Sequence, residues 1–250
     1  TAFMDSVPMI VITGQVTVPL LGRDSFQEID ITGITLSVTK HNYLVRNVNQ
    51  LAGVIREAFK VARSGRPGPV LIDIPKNLFL EQGPYEKKPL EMLKEEKSNY
   101  NENDFEKAVE LINNSKKPVI YAGGGVKIAD ASRELFDFAV KTDIPVVNSL
   151  MGLGSIPYNS DLRFGMVGMH GFRENNLAVT NSDLIIAIGA RFSDRVISKA
   201  ENFAPKAKII HMDADATEIG KNVRVDIPLL GNLKETVKRL TENVQKRHNA

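Results

Sequence analysis

Short apolar runs recur along the chain and alternate with stretches in which apolar positions lie three or four residues apart. The runs are rich in Val and Ile and are apolar at successive positions, so both faces of each strand would be buried. Such strands are typical of a parallel sheet that is covered on both sides. We predict strands of this kind at residues 8–13, 69–74, 118–123, 144–149, 183–189, 207–213 and 223–227.

The stretches between the runs have the spacing of amphipathic helices. Residues 48–62 carry one apolar face, with Asn47 as a predicted N-cap and Gly65 as a stop signal. A second apolar face begins after Asn103, and a third occupies residues 233–244. Strands that alternate with helices predict the α/β class, here as doubly wound parallel sheets.

One segment breaks this alternation. Residues 81–102 are charged and polar, contain Pro84 and Pro89, and have no sustained apolar face. A solvated linker is the simplest interpretation of such a composition. We therefore predict two α/β units, at residues 1–80 and 103–250.

Composition excludes several classes of protein. A net charge of +2 over 250 residues gives no basic stripe for nucleic acid or a membrane surface, and no apolar run approaches the length of a membrane span. Cysteine is absent, which excludes disulfides and cysteine-based metal sites. The N-terminus lacks the features of a signal peptide and does not begin with Met. We expect an internal segment of a longer, cytoplasmic chain. The four histidines are scattered, at His41, His170, His211 and His248.

Charged residues follow two predicted strands of the second unit. Arg191 and Arg195 come after the strand at 183–189, while Asp213 and Asp215 lie at the end of the following one. Ligands of open α/β sheets bind outside the carboxyl ends of the strands. Arginine suits a pyrophosphate, and a carboxylate suits ribose hydroxyls. An Arg191–Asp213 surface ion pair is the alternative, but the convergence of these residues favours a dinucleotide.

Three glycines, Gly123, Gly124 and Gly125, lie between a predicted strand and a helix. They could let a phosphate approach the backbone, or they could form only a tight turn. The G-x-G-x-x-G fingerprint is not met, and the next strand ends at Asn148 rather than at a carboxylate. Classical NAD binding is therefore disfavoured.

Residues 164–171, FGMVGMHG, interleave glycine with Met166, Met169 and His170. The methionines could pad a flat aromatic ring, or the segment could be a glycine-rich turn with core methionines. Both readings remain open, and a lone histidine such as His170 is more often structural than a ligand.

In the first unit, residues 22–45 interleave polar and apolar positions after the strand at 8–13. Their polar groups would gather at the rim of the sheet. A later strand, within residues 64–76, lies between Arg66 and Lys76. Taken alone, Lys76 is a solvated lysine at the end of a strand.

Several segments, in this order, resemble the large catalytic subunit of the acetohydroxyacid synthase (acetolactate synthase) family, and together they cover nearly the whole chain. They are SVPMIVITGQV, DSFQEIDITGIT, TKHNYLV, SGRPGPVLIDIPK, GMHG, GARFSDR and HMDADATEIGKN.

The resemblance implies a transferase that uses thiamine diphosphate, Mg²⁺ and FAD in the biosynthesis of branched-chain amino acids. Such enzymes decarboxylate pyruvate and join the two-carbon product to a second 2-keto acid, with FAD taking no net redox part. They are dimers or tetramers with a regulatory small subunit, and in eukaryotes they lie in plastids or mitochondria. Residues 1–80 would be the later part of the pyrimidine-binding domain, and residues 103–250 the central FAD-binding domain.

The resemblance also assigns residues to sites. Gln15, Phe26 and Gln27 would line the thiamine and substrate cleft, and the rim of the substrate channel would include Lys76, Met169, Asp194 and Arg195. The FAD contacts would be Arg66, Gly123, Gly124, Gly125, Ser149, Leu150, Met151, Gly168, Met169, His170, Gly171, Arg191, His211, Asp213, Asp215, Asp226 and Ile227.

Some positions depart from the family pattern, namely Thr17, Pro19, Ser193 and the segment GFRENN at 171–176. None of these removes a charge expected to act in catalysis. The glutamate that activates thiamine and the Gly-Asp-Gly motif that binds Mg²⁺ do not match any segment of these residues, so we expect the chain to be inactive alone. The alternatives are a stand-alone FAD- or nucleotide-binding module, and a sibling thiamine-dependent 2-keto acid decarboxylase or carboligase.

Overall fold

A computed structural model describes residues 1–89, 98–197 and 203–247. The chain divides into two compact units, Thr1–Lys94 and Glu95–Ala250. The predicted linker, residues 81–102, lies partly outside the described residues, as does His248. No helix in the described ranges is long and apolar enough to cross a membrane.

The first unit contains a parallel sheet of three strands in the order β1-β3-β2. Short 3-10 turns follow β1 and β3, at Val18–Leu20 and Lys76–Leu80. The strands and helices are β1 (Ile10–Gln15), α1 (Ile31–Thr35), β2 (His41–Leu44), α2 (Val48–Arg63) and β3 (Val70–Pro75).

Helix α2 begins and ends as its sequence predicts. The side chain of Asn47 accepts a hydrogen bond from the N–H of Asn49, and Gly65 follows the helix with a φ of +48°. Ala58 and Ala62 pack against Val70 and Ile72 of the central strand β3 to form the core. Lys40 Nζ donates to the carbonyl oxygens of Val61 and Ser64, so this lysine stabilises the C-terminus of α2.

The second unit contains a parallel sheet of six strands in the order β6-β5-β4-β7-β8-β9. The chain therefore starts in the middle of the sheet, builds outward to β6, and returns to build outward to β9. This is the doubly wound arrangement, with its switch point between β4 and β7. Its elements are α3 (Glu102–Asn114), β4 (Pro118–Ala122), α4 (Gly125–Ile128), α5 (Ser132–Thr142), β5 (Val146–Asn148), β6 (Arg163–Met166), α6 (Arg173–Thr180), β7 (Leu184–Ile188), β8 (Lys208–Asp213), β9 (Ile227–Leu230) and α7 (Leu233–Asn243).

Alternate residues of this sheet form two cores, one on each face. Ile120 and Ile186 belong to the core that includes residues of α3, α5 and α7. Tyr121 and Ile185 belong to the other core, with α6 and the segment after β7. Strands β4 and β7 are buried along their whole length. The predicted α/β class with parallel sheets is confirmed.

Three local predictions were wrong, and two strands were missed. Residues 223–227 were predicted as a strand, but the strand is Ile227–Leu230. Strands β2 and β6 were not predicted. Helix α3 begins at Glu102 with Asn101 as its N-cap, two residues before Asn103. Strand β1 is only partly buried, with Ile12 exposed, because β1 lies at the edge of its sheet.

Candidate functional site

The carboxyl ends of the second sheet lie in register. Ala122 pairs with Asn148 and Ile188, and Ile188 pairs with Met212. The segments that follow these strands therefore begin side by side along one edge, which we call the carboxyl edge. It brings together most of the predicted site residues of the second unit, from the glycine turn at 123–125 to Asp213, with the exceptions of His211, Asp226 and Ile227.

The glycine turn packs against the segment after the neighbouring strand β7. A Cβ on Gly123 would lie 2.0 Å from Gly189 O, and one on Gly125 would lie 2.6 Å from Gly189 Cα. The N–H groups of Gly123 and Gly125 donate to the carbonyls of Ile188 and Gly189. Close approach of two backbones therefore explains these two glycines, without any phosphate. Helix α4 is also only four residues long, so its dipole is small.

The segment after β5 starts from a buried amide. Asn148 is 1% exposed and donates to Gly152 O and to Ser155 Oγ, both at 3.0 Å. Ser149 Oγ accepts from the N–H of Gly152 and closes a 3-10 turn. Leu150 and Met151, in that turn, are 69% and 43% exposed. The carboxyl edge thus carries exposed apolar side chains beside polar backbone.

The glycines after β6 are required by neighbouring backbone. Gly168 has a φ of +104°, and a Cβ on it would lie 2.4 Å from Arg195 O. Met169 N donates to the same carbonyl at 2.8 Å, and the Met169 side chain is 62% exposed. A Cβ on Gly171 would lie 2.6 Å from Met166 O, and His170 is exposed. This geometry rules out the reading in which Met169 is a core residue.

The side chains of Asn175 and Asn176 hold residues 164–168 through hydrogen bonds to their backbone. The sequence had marked these asparagines only as departures from a family pattern. Asn176 accepts from Gly168 N at 2.8 Å and donates to Gly168 O at 3.0 Å. Asn175 is buried and donates to the carbonyls of Phe164 and Met166. The signal that could have found them is a pair of asparagines at the start of an amphipathic stretch.

Charge of both signs lies along the carboxyl edge. One oxygen of Asp213 accepts from Asp215 N at 2.9 Å, and one oxygen of Asp215 accepts from the backbone and hydroxyl of Thr217. Arg191 lies near Tyr121, where its charge partly opposes the burial that raises the pKa of this phenol well above its ordinary value. Two oriented carboxylates and a guanidinium can receive ribose hydroxyls and a pyrophosphate.

His211 lies inside the protein rather than on the carboxyl edge. It is 0% exposed, and its Nε2 lies 2.9 Å from Ala190 O. Burial lowers its pKa to about 4, so the ring is neutral near pH 7. The ring of His211 is therefore not presented to a ligand on this edge, and the assignment of residue 211 to the FAD contacts stays a prediction.

Asp226 and Ile227 lie at the opposite edge of the sheet. Asp226 accepts from Lys208 Nζ and from Ile209 N, both at the start of β8, and Ile227 pairs with Ile210. The structure thus places Asp226 and Ile227 away from Asp213, and their assignment to the FAD contacts stays a prediction. Both residues were assigned from the family resemblance, and the residues that follow strand β9 are Gly231 and Asn232.

In the first unit, Gln15 ends β1 and is fully engaged with its neighbours. Its Nε2 donates to Ile29 O at 2.8 Å and to Asp73 Oδ2 at 3.0 Å, and its Oε1 accepts from Val16 N. Asp73 is 1% exposed. Sequence reasoning missed this aspartate, although a carboxylate inside a buried apolar run was a signal for it.

The loop after β1 presents Phe26 to solvent. Phe26 is 89% exposed, and the next residue, Gln27, has a φ of +61°. Glu28 accepts from the N–H groups of Gly22 and Ser25, and these bonds lower the pKa of its carboxyl. Part of the 22–45 stretch is therefore an ordered turn, while its remainder forms α1 and β2.

The cationic residues of the first unit occupy different settings. Lys76 is exposed at the end of β3. Arg66 Nε donates to Ser6 Oγ at 2.9 Å. In the second unit, Arg195 is exposed beside Asp194, with 3.8 Å between Arg195 Nε and Asp194 Oδ2. The roles assigned to these residues stay predictions.

The doubly wound sheet carries guanidinium and carboxylate groups on its carboxyl edge, where the ligands of open α/β sheets bind. The family profile described as thiamine pyrophosphate enzyme, central domain, matches residues 105–240. The chain belongs to the family of thiamine pyrophosphate enzymes.

Curated relatives match the chain across both units. The acetolactate synthase large subunit of Corynebacterium glutamicum is 49% identical over 98% of this chain and 39% of its own length. A probable acetolactate synthase large subunit of Methanocaldococcus jannaschii is 47% identical over 96% of this chain and 42% of its own length. An acetolactate synthase of Mycobacterium bovis is 45% identical over 99% of this chain and 40% of its own length. The chain spans about two fifths of the length of these relatives.

Proposed function

We propose that the second unit binds FAD along its carboxyl edge, within a thiamine-diphosphate-dependent enzyme of the acetolactate synthase type. The enzyme decarboxylates pyruvate and joins the two-carbon product to a second 2-keto acid. The relatives named acetolactate synthase, which match nearly all of this chain, support the reaction. The chemistry of the carboxyl edge supports the flavin.

The observation that carries the flavin proposal is the convergence of Arg191, Asp213 and Asp215 with exposed apolar side chains. The guanidinium suits the pyrophosphate of FAD, and the oriented carboxylates suit hydroxyl groups of the ribityl or ribose parts. Met151 and Met169 offer polarizable surface to a flat ring. The residues present therefore fit FAD.

The strand next to β4 argues for FAD over NAD. In a classical NAD site this strand would end at a carboxylate for the adenosine ribose. Here it ends at Asn148, whose amide is buried and donates to Gly152 and Ser155. The carboxylate that would accept from the ribose hydroxyls of NAD is therefore replaced by a buried amide.

The first unit supplies one wall of the thiamine and substrate cleft in this proposal. Bound thiamine diphosphate supplies the electron sink for decarboxylation, and Mg²⁺ holds its diphosphate. Gln15 fixes the 22–30 turn through Ile29 O, so that Phe26 and Gln27 are held in place. Lys76 adds a positive charge that attracts an anionic keto acid.

A fluorescence titration of the chain with FAD tests the flavin proposal, with NAD added as a competitor. We expect saturable quenching of flavin fluorescence that NAD does not reverse. Arg191→Ala should raise the Kd for FAD about 10- to 100-fold, because charge-assisted hydrogen bonds to phosphate are lost. Arg133→Ala is the matched control, since Arg133 on α5 is 89% exposed and pairs only weakly with Asp137. Absent binding, or reversal by NAD, contradicts the proposal.

Product analysis on the natural protein tests the reaction. Pyruvate, thiamine diphosphate, Mg²⁺ and FAD should give acetolactate, without net reduction of the flavin. Acetaldehyde as the main product would instead indicate a sibling decarboxylase. Flavin binding without turnover would indicate a nucleotide-binding module. A small regulatory subunit and a homo-oligomer are further parts of the proposal, and co-purification with the natural protein tests both.

A further inference from the structure

The segment that carries Arg191 has an unusual backbone. Gly189 has a φ of +56°, and Phe192, three residues later, has a φ of +51°. A left-handed conformation is uncommon for a bulky residue and persists only where the surroundings impose it. The contacts of this segment therefore have to hold it in place.

Three consecutive carbonyl groups of the segment accept hydrogen bonds from three different parts of the chain. Gly189 O accepts from Gly125 N at 3.0 Å. Ala190 O lies 2.9 Å from His211 Nε2, and Arg191 O accepts from Asn222 Nδ2 at 2.9 Å. Two of the donors are side chains, so their contribution can be removed by substitution.

The chemistry of the bond fixes the tautomer of His211. A carbonyl oxygen can only accept, so Nε2 must carry the proton and Nδ1 must be the unprotonated nitrogen. Nδ1 is buried and has no hydrogen-bond partner among the described residues. The ring also packs edge-on against Phe192, with 5.1 Å between the centroids. His211 thus contacts the segment on both sides of Arg191.

We propose that His211 and Asn222 are positioning residues that fix the backbone around Arg191 and so aim its guanidinium at the pyrophosphate of the flavin. The role of the guanidinium rests on the proposed FAD site, whereas the fixing of the backbone does not. His211 then acts through Arg191 and does not touch the ligand, in keeping with its complete burial.

Paired substitutions separate positioning from simple stability. His211→Gln retains a donor at a similar distance from the backbone, while His211→Leu fills the site without a donor. Asn222→Ala removes the second side-chain donor. Asn181→Ala is the control, because Asn181 also donates an exposed amide to a carbonyl, that of Leu177, at the end of α6.

Hydrogen exchange of residues 189–196 is measured first, without ligand. His211→Leu and Asn222→Ala should speed this exchange about tenfold, while His211→Gln and Asn181→Ala leave it near the wild-type rate. Unchanged exchange in both His211→Leu and Asn222→Ala overturns the proposal. This exchange measurement tests whether His211 and Asn222 fix the backbone even if the chain does not bind FAD. Failure to bind FAD would contradict only the proposed function and the proposed orientation of Arg191 toward the flavin.

The Kd for FAD is then measured for each variant, alone and combined with Arg191→Ala. We expect His211→Leu to raise the Kd about tenfold in the wild-type background, from one lost buried hydrogen bond, and to have no further effect when Arg191 is already absent. His211→Gln should restore binding. An equal effect of His211→Leu in both backgrounds would show that it acts through general stability, and would overturn the proposal.

Discussion

Thr13 on β1 and Asp73 on β3 are paired on neighbouring strands of the first sheet, and Thr13 Oγ1 donates to Asp73 Oδ1 at 2.7 Å. Gln15 Nε2 donates to the other carboxylate oxygen at 3.0 Å. Asp73 is almost fully buried, so its carboxylate depends on these donors for the hydrogen bonds it would make in water. The aspartate thereby ties the end of β1, and through Gln15 the turn that carries Phe26, to the central strand.

Asp73→Asn should destabilise the first unit by about 2–4 kcal/mol, because an amide N–H₂ would face a donor where a carboxylate oxygen now accepts. Denaturant unfolding, with hydrogen exchange of β1 and β3 to localise the effect, measures this. Asp137→Asn, at an exposed position on α5, should change stability by less than about 0.5 kcal/mol. Equal stabilities of the two variants would show that the buried carboxylate is unimportant.

His211 makes stability depend on pH. Burial lowers its pKa from 6.5 to about 4, against the opposing effects of the Ala190 carbonyl and the nearby Glu218. Between these values the unfolded chain binds a proton that the folded chain does not. The contribution of the neutral His211 ring to the free energy of unfolding is therefore fully present above about pH 6.5 and is lost as the pH falls toward 4. The total loss amounts to about 3 kcal/mol.

His211→Gln removes this titration and keeps a donor for Ala190 O. Unfolding free energies measured from pH 7 to pH 4 should therefore fall less steeply in the variant than in the wild type. Asp213 and Glu218, which lie near the ring, are present in both proteins, so their own titration affects both curves. Parallel curves would mean that His211 is not buried in its neutral form.

Gly123→Ala should be strongly destabilising. The new Cβ would lie 2.0 Å from Gly189 O, a contact with backbone that cannot move aside without separating the turns after β4 and β7. We expect a loss of about 3 kcal/mol or more, as for other overpacked sites. A thermal unfolding temperature unchanged from the wild type would contradict the close approach of these two turns.

Gly53→Ala, unlike Gly123→Ala, should stabilise the protein. Gly53 lies exposed within α2, and a Cβ there would meet nothing within 4 Å. Alanine should stabilise the helix by about 1 kcal/mol, because glycine has the greater conformational freedom to lose. The same thermal unfolding measurement checks it, and a loss of stability would mean that α2 is not helical around this residue.

Sequence alone predicted the central strands well because both faces of each are buried. Strands β3, β4 and β7 consist of consecutive apolar residues with few exceptions. The missed strands, β2 and β6, lie at sheet edges and are short, and β6 includes Gly165 with a φ of +94°. Edge strands need not be apolar on both faces, so the hydrophobic pattern of their sequences does not predict them.

The misplaced strand has a similar cause. Val223, Val225 and Ile227 alternate with Arg224 and Asp226, which is the pattern of a half-buried strand. The actual strand runs through Pro228, which is tolerated because β9 is an edge strand. Gly231 and Asn232, which follow this strand, were for that reason not considered as strand-end residues.

The residues of the candidate site were predictable where charged side chains lie at or just beyond the carboxyl end of a central strand. Arg191 and Asp213 were found because Arg191 lies three residues beyond β7 and Asp213 is the last residue of β8. The residues that hold the site, such as Asn176 and the buried His211, were missed in those roles. Their roles depend on hydrogen bonds to backbone distant in sequence, and no local pattern encodes such contacts.

Hydrogen exchange of the chain with and without FAD tests the central claim most directly, because it locates the ligand on the sheet. The account predicts that FAD slows exchange in the segments after β4 through β8, at residues 123–125, 149–151, 168–171, 189–195 and 213–217. Residues 224–228, at the opposite edge, should exchange at the same rate in both samples. Protection confined to the opposite edge, or no protection at saturating FAD, would contradict a flavin site on the carboxyl edge.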